Sequence, residues 1–240
     1  MLRHLVDRLR THLLSKQDAE AYFWRKEISR IQDWFNGTIS LYNTPPPTPA
    51  QKVKASNPKD ASILTWHRVH QEVKYLKDLE LPPDAFQGMS LLDVGSGPMP
   101  SATCFCSAKL YCLEPLLPNY MEVGFPLHVY SSVHFVNGVS EAIPVPSAFF
   151  DAVISVNAID HVDDIRQTAL EIKRVMKPRA LLRMHVHYHS PTRCEPIELN
   201  DVFFRELFGW VGNLRKLKAS KKNHSTTLVK DESFALWSNF

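Results

Sequence analysis

The chain has 240 residues, 44% of them hydrophobic and 22% charged, with a formal net charge of +3. This is the composition of a globular protein able to bury a sizeable core, and so small a net charge excludes a general attraction to nucleic acid. No uninterrupted apolar run approaches the roughly 20 residues of a membrane-spanning helix.

Residues 1–14 place Leu2, Leu5, Val6, Leu9 and Leu13 on one helical face, with Arg3, Arg8 and Arg10 largely elsewhere. Charge inside this stretch, and the absence of a small-residue cleavage pattern after it, argue against a signal peptide. The segment predicts a basic amphipathic helix packed on its own domain, with peripheral membrane or partner contact as the alternative. A second helix is predicted over 18–35, where Trp24, Ile28, Ile31 and Phe35 share a face. Asn36 and Gly37 end it.

Five prolines between Asn43 and Asp60 exclude a regular helix or central strand, so 43–60 is expected to be an exposed, extended connector. A third helix is expected from Ser62 to Leu79, with Trp66, Val69, Val73 and Leu76 in register and His67 and His70 facing solvent. These elements make 1–85 a helical extension or lid, and 86–240 the main domain. Cys104, Cys106, Cys112 and Cys194 fit neither a zinc ribbon nor a secreted disulfide framework. Reduced, packed thiols in the cytoplasm are the simpler reading.

From Ser90 onward strands and helices alternate. Strands are predicted at 89–93, 109–113, 132–136, 150–155 and 180–187, and helices near 100–107, 115–123, 162–176 and 198–211. Ile165, Ala169, Ile172 and Met176 form the buried stripe of the third of these helices. Two further strands, 213–219 and 232–238, flank a polar turn at Lys221, Lys222 and Asn223. The expectation is an α/β, Rossmann-like, doubly wound sheet of seven strands, mostly parallel with an antiparallel last strand.

The first of these strands leads into Asp93-Val94-Gly95-Ser96-Gly97-Pro98, an acid and two glycines in a tight turn. Glycine is favoured there because it tolerates positive φ and lets the backbone approach a ligand. The next strand ends in Glu114, about 20 residues later, the arrangement of a nucleoside-cofactor site. A dinucleotide turn would need a third glycine where Pro100 stands, and a phosphate loop would need Gly-Lys-Ser/Thr, which is absent.

Read in order, Leu91-Leu92-Asp93-Val94-Gly95-Ser96-Gly97-Pro98, Leu113-Glu114-Pro115, Ser140-Glu141-Ala142-Ile143-Pro144, Phe150-Asp151-Ala152-Val153-Ile154-Ser155, Asp160-His161-Val162 and Glu171 to Pro178 resemble the motifs of class I S-adenosylmethionine-dependent methyltransferases. The resemblance covers about Ser90 to Phe240. It implies S-adenosyl-L-methionine as cofactor, held by Asp93, Gly95, Ser96, Gly97, Glu114, Ser140, Glu141 and Asn157. Asp93 would hold the ammonium, Glu114 the ribose hydroxyls, and the Ser140 backbone N–H the adenine. Three positions depart from the family pattern. Met99 stands where glycine is frequent, Val139 where an acid is, and Pro178-Arg179-Ala180 where Pro-Gly-Gly is.

Candidate general bases lie at the carboxyl ends of the fourth and fifth strands. His161 is the first choice and His187 and His189 follow. His185, His187 and His189 share one strand face by the period of two; the run is read first as an active-site histidine with the others hydrogen-bonded elsewhere, with a catalytic cluster or a metal site as the alternatives. The loop Pro191-Thr192-Arg193-Cys194-Glu195-Pro196 resembles the acceptor side of methyltransferases found with bacterial glycan and natural-product pathways. The implied activity is O-methylation of a saccharide or other polar small molecule. The alternatives are an N- or C-methyltransferase of a small metabolite and a non-catalytic cofactor-fold binding domain.

Overall fold

The computed structural model describes residues 15–220 and 233–240. The amphipathic segment 1–14 and the turn at Lys221, Lys222 and Asn223 lie outside the described residues. Five parallel strands, β1 (Ser90–Val94), β2 (Lys109–Leu113), β3 (His134–Val136), β4 (Phe150–Val156) and β5 (Met176–Tyr188), are followed by β6 (Arg215–Ser220) and β7 (Ser233–Ser238). Their spatial order is β3-β2-β1-β4-β5-β7-β6, and β7 runs antiparallel to both of its neighbours. This is the mixed, mostly parallel, seven-stranded sheet the sequence predicts.

Strand order reverses beside β1. The chain winds outward through β2 and β3, then returns so that β4 pairs with β1 through Leu91–Ala152, Leu92–Val153 and Asp93–Ile154. A crevice opens at the carboxyl ends of strands at such a reversal. The central strands are covered on both faces, which is why β1 and β4 are buried almost along their whole length rather than at alternate residues.

The helices are α1 (Lys16–Phe35), α2 (Pro58–Trp66), α3 (Glu72–Leu79), α4 (Leu117–Val123), α5 (Ile165–Val175) and α6 (Asp201–Phe208). Helix α1 starts where the Ser15 side chain accepts the Asp18 N–H at 3.1 Å. Its Ile28, Ile31 and Trp34 pack with Ile63 and Trp66 of α2 and with Tyr120 of α4. The N-terminal helices therefore share a core with the sheet domain. On another face, α5 buries Ile165, Ala169, Ile172 and Val175. Met176, expected to close that stripe, instead opens β5.

Three expectations are corrected. A π-turn over His67–Gln71 separates α2 from α3, with the Glu72 N–H reaching back to the His67 carbonyl. Its extra residue rotates the buried face, so His67 and His70 are buried rather than solvent-facing, while Val69, Val73 and Leu76 are only partly covered. His67 Nδ1 lies 2.8 Å from the Tyr130 hydroxyl, and His70 Nδ1 lies 2.8 Å from the Thr44 hydroxyl. The helix expected near 100–107 is only a 3-10 turn, Ser101–Cys104. Strand β5 begins earlier and ends later than 180–187, and continues through a left-handed Arg179 with φ of 65°.

Candidate active site

A cavity of about 410 Å³ lies at the carboxyl ends of β1, β2 and β4 and under α1. Its floor is the turn after β1. Gly95 has φ of +73°, and its N–H donates to the Leu113 carbonyl at 2.9 Å. A Cβ on Gly95 would meet the Ala158 Cβ at 2.4 Å, so the loop after β4 fits only against a glycine. Gly97 has φ of +69° with open space around its missing Cβ. Ser96 lines the cavity between them.

Glu114, at the end of β2, faces the same cavity. Its Oε2 accepts the Gly97 N–H and its Oε1 the Leu116 N–H, both at 3.0 Å. Burial pushes its pKa up to about 7 against those two donors, and the nearby Glu20 of α1 adds to the rise. Each oxygen retains acceptor capacity for a ligand hydroxyl.

Asp93, at the end of β1, lies behind the cavity wall. It is fully buried and does not line the cavity; Tyr75, which does, stands against it. Neither Asp93 oxygen has a hydrogen bond of good geometry among the described residues. Burial raises its pKa to about 7, although the Tyr75 hydroxyl holds that rise back.

Ser140, Glu141 and Asn157 all reach the cavity wall. The Ser140 hydroxyl lies 3.1 Å from that of Thr168. Glu141 Oε1 accepts the N–H groups of Asp163 and Asp164 at 2.7 and 3.0 Å, so its carboxylate holds the entry to α5. Asn157 takes the left-handed conformation, φ 54°, and its N–H donates to the His185 carbonyl at 2.8 Å. Its buried Oδ1 has no partner among the described residues. Met99 and Val139, two of the three departures from the family pattern, also line the cavity; Met99 is packed into the core of the N-terminal helices, and Val139 is exposed.

Of the three candidate bases only His161 lines the cavity. It sits in the 3-10 turn Ile159–His161, with Nε2 3.6 Å from Glu195 Oε1. Burial opposes its protonation, yet Glu195, Asp160 and Glu20 outweigh burial and raise its pKa. Glu195 Oε1 also faces His187 Nδ1 at 3.9 Å, and the two imidazoles hold the Glu195 carboxyl well below the usual range. His189 Nε2 lies 2.9 Å from Asp160 Oδ2; that contact first, and the Ser190 carbonyl after it, lift the His189 pKa to about 9. His185 does not join this group. It stacks on Phe234 at 5.3 Å, and burial lowers its pKa to about 4.

Several lining residues, Lys16, Glu20 and Tyr75 among them, carried no functional signal in the sequence. Lys16 of α1 donates to the His161 carbonyl and pairs with Asp163 Oδ1 at 2.9 Å. Glu20, Trp24 and Tyr75 complete the helical side of the cavity. Only the structure brings Glu195 and Asp160 to the histidines.

Comparison with known proteins agrees with this geometry. A family model described as a methyltransferase domain matches residues 92–184. A Mycobacterium ulcerans protein described as an uncharacterized methyltransferase is 33% identical over 100 residues, a match covering 41% of this chain and 39% of that relative. The chain thus aligns with about two fifths of the relative's length. Among solved structures, the YcgJ protein of Bacillus subtilis is similar over 70% of this chain and 97% of its own, with a TM-score of 0.54 and 14% identity. An arsenic(III) S-adenosylmethionine methyltransferase from Chlamydomonas reinhardtii is similar over 65% of this chain and 64% of its own, with a TM-score of 0.52 and 18% identity. These two likenesses concern the fold alone. The matched methyltransferase domain over residues 92–184, the strand order and the glycine turn with its acid on β2 together support placing the chain with the class I S-adenosylmethionine-dependent methyltransferases.

Proposed function

We propose that the chain transfers a methyl group from S-adenosyl-L-methionine to a hydroxyl of a small polar acceptor, a saccharide being the first candidate. The observation that carries this reading is a single cavity with the Gly95–Gly97 turn and Glu114 on one side and His161 on another. The residues present fit the cofactor. A positive-φ glycine turn lets a ligand approach the backbone, a buried carboxylate is ready to accept two hydroxyls, and the buried Asn157 Oδ1 lacks a protein partner.

When bound, the cofactor supplies an electrophilic methyl carbon with a neutral thioether as its leaving group. The chain's own work is positioning and the exclusion of water. Trp24, Trp66, Tyr42 and Tyr120 give the cavity aromatic walls against which a sugar ring or another flat acceptor can lie. His161 takes the hydroxyl proton on an imidazole nitrogen as the new oxygen–carbon bond forms, and the charge of Glu195 favours the resulting imidazolium. Helix α1, tied through Lys16 to the His161 turn, acts as the lid of residues 1–85.

The test is label transfer from methyl-labelled S-adenosylmethionine to a panel of glycosides, phenols and amines. Label in a hydroxyl acceptor supports the proposal. Label confined to amines would move the activity to the N-methyltransferase class. Cofactor binding with no transfer to any acceptor of the panel would count against the hydroxyl reading.

A further inference from the structure

We infer that the chain holds a divalent transition-metal ion on Asp160, His187, His189 and Glu195, at the end of the cavity where His161 stands. The four residues come from neighbouring strand ends. Asp160 lies on the turn after β4, His187 at the end of β5 with His189 just beyond it, and Glu195 on the loop that follows. One ligand atom from each lies within 4.8 Å of the others. Ligand bonds of about 2.0–2.2 Å then need the groups to draw together by on the order of 1 Å.

The details suit a cation. Asp160 is fully buried, and its Oδ1 has no hydrogen-bond partner among the described residues, an expensive state for a carboxylate oxygen. His189 Nδ1 lies 2.7 Å from the Ser190 carbonyl, which can only accept, so Nδ1 carries a proton and Nε2 is the coordinating atom. A backbone carbonyl behind a ligating imidazole is the usual means of fixing its tautomer and direction. The His187 ring is held by stacking on Phe234 at 4.5 Å and against His189 at 4.3 Å. Glu195 is only partly buried, and its neighbour Cys194 lines the cavity, so an ion has a route in.

Two imidazoles with two carboxylates favour zinc, cobalt or manganese over magnesium or calcium, which prefer oxygen alone. The two carboxylates also neutralise a dication. This departs from the first, metal-free reading of the histidine run, and it differs from a three-histidine site because His185 stands outside the cluster. Glu195 links the site to the cavity, because the Oε1 that faces His187 also faces His161.

The experiment uses the full chain, stripped with a chelator and dialysed, titrated with Co2+ and then Zn2+ while heat and visible absorption are recorded. One equivalent of Co2+ is expected, with the visible bands of a nitrogen–oxygen site. Zn2+ displaces it and millimolar Mg2+ does not. Glu195→Gln and His187→Asn each weaken binding at least about 10-fold, and melting curves confirm that both variants fold. The exposed His128→Gln and His134→Gln leave binding unchanged. Absence of Co2+ binding, or an equivalent that survives both ligand substitutions, overturns the proposal. S-adenosylmethionine titrated into the same preparation reads the cofactor site separately.

Discussion

The Gly97 N–H donates to Glu114 Oε2 at 3.0 Å, which ties the turn after β1 to the end of β2. The same carboxylate that shapes the turn faces the cavity, so one residue both holds the turn and lines the cavity. Under the proposed role of Glu114 as acceptor of the ribose hydroxyls, ligand binding is expected to follow its ionisation.

That sensitivity has a definite sign. Burial holds Glu114 near 7, so its carboxyl keeps a proton over a range where a free glutamate has lost it. Ribose hydroxyls donate best to the ionised form. S-adenosylmethionine affinity should therefore rise as pH passes from about 6 to about 8, and binding below neutrality should release a proton. Calorimetry in two buffers of different ionisation heat measures both effects. Glu114→Gln should weaken binding and flatten its pH dependence. An affinity that is the same across this range in the wild type would refute the role given to Glu114.

Asp93 gives a stability effect. Its folded pKa of about 7 lies above its unfolded value, so the folded state binds the extra proton. The contribution of Asp93 to stability then falls as pH rises from the unfolded pKa, near 4, through about 7. Asp93→Asn removes the buried charge with little change of shape. It should stabilise the ligand-free protein at pH 8 by about 1–4 kcal/mol and have little effect at pH 4. Thermal melts at the two pH values decide this, and a variant less stable at pH 8 would contradict it.

The two glycines of the turn should respond unequally. Gly95→Ala meets both positive φ and the Ala158 Cβ, whereas Gly97→Ala meets only the φ strain. The second should cost about 1–2 kcal/mol, and the first should cost more and displace the loop after β4. Denaturant unfolding of the two variants gives the comparison, and equal losses would mean that the loop after β4 yields.

His161→Asn should keep cofactor affinity within about two-fold and lower turnover roughly 100-fold or more. Paired measurements of binding and label transfer separate the two. Full turnover in this variant would exclude His161 as the base.

The glycine turn, the alternation of strands with helices and Glu114 at a strand end were legible in the sequence because they are local. A buried parallel strand is a short apolar run, and its turn chemistry follows within a few residues. The π-turn at His67–Gln71 was not, because one inserted residue leaves the helical period intact on either side yet rotates the face between. Asp93 was placed at the ligand by its position at a strand end, but Tyr75 of α3, nearly twenty residues earlier, stands at the cavity wall beside it. Lys16 and Glu195 illustrate the same limit: each meets His161 only through tertiary packing, Lys16 sits in no pattern that marks it, and the acceptor-side loop marks Glu195 without pairing it to a histidine.

The cofactor assignment is tested by calorimetric titration of the wild-type chain with S-adenosylmethionine and S-adenosylhomocysteine. It predicts one site for each, competition between them, and loss of both in Gly95→Ala and Glu114→Ala. No binding of either ligand to a folded wild-type chain would contradict it.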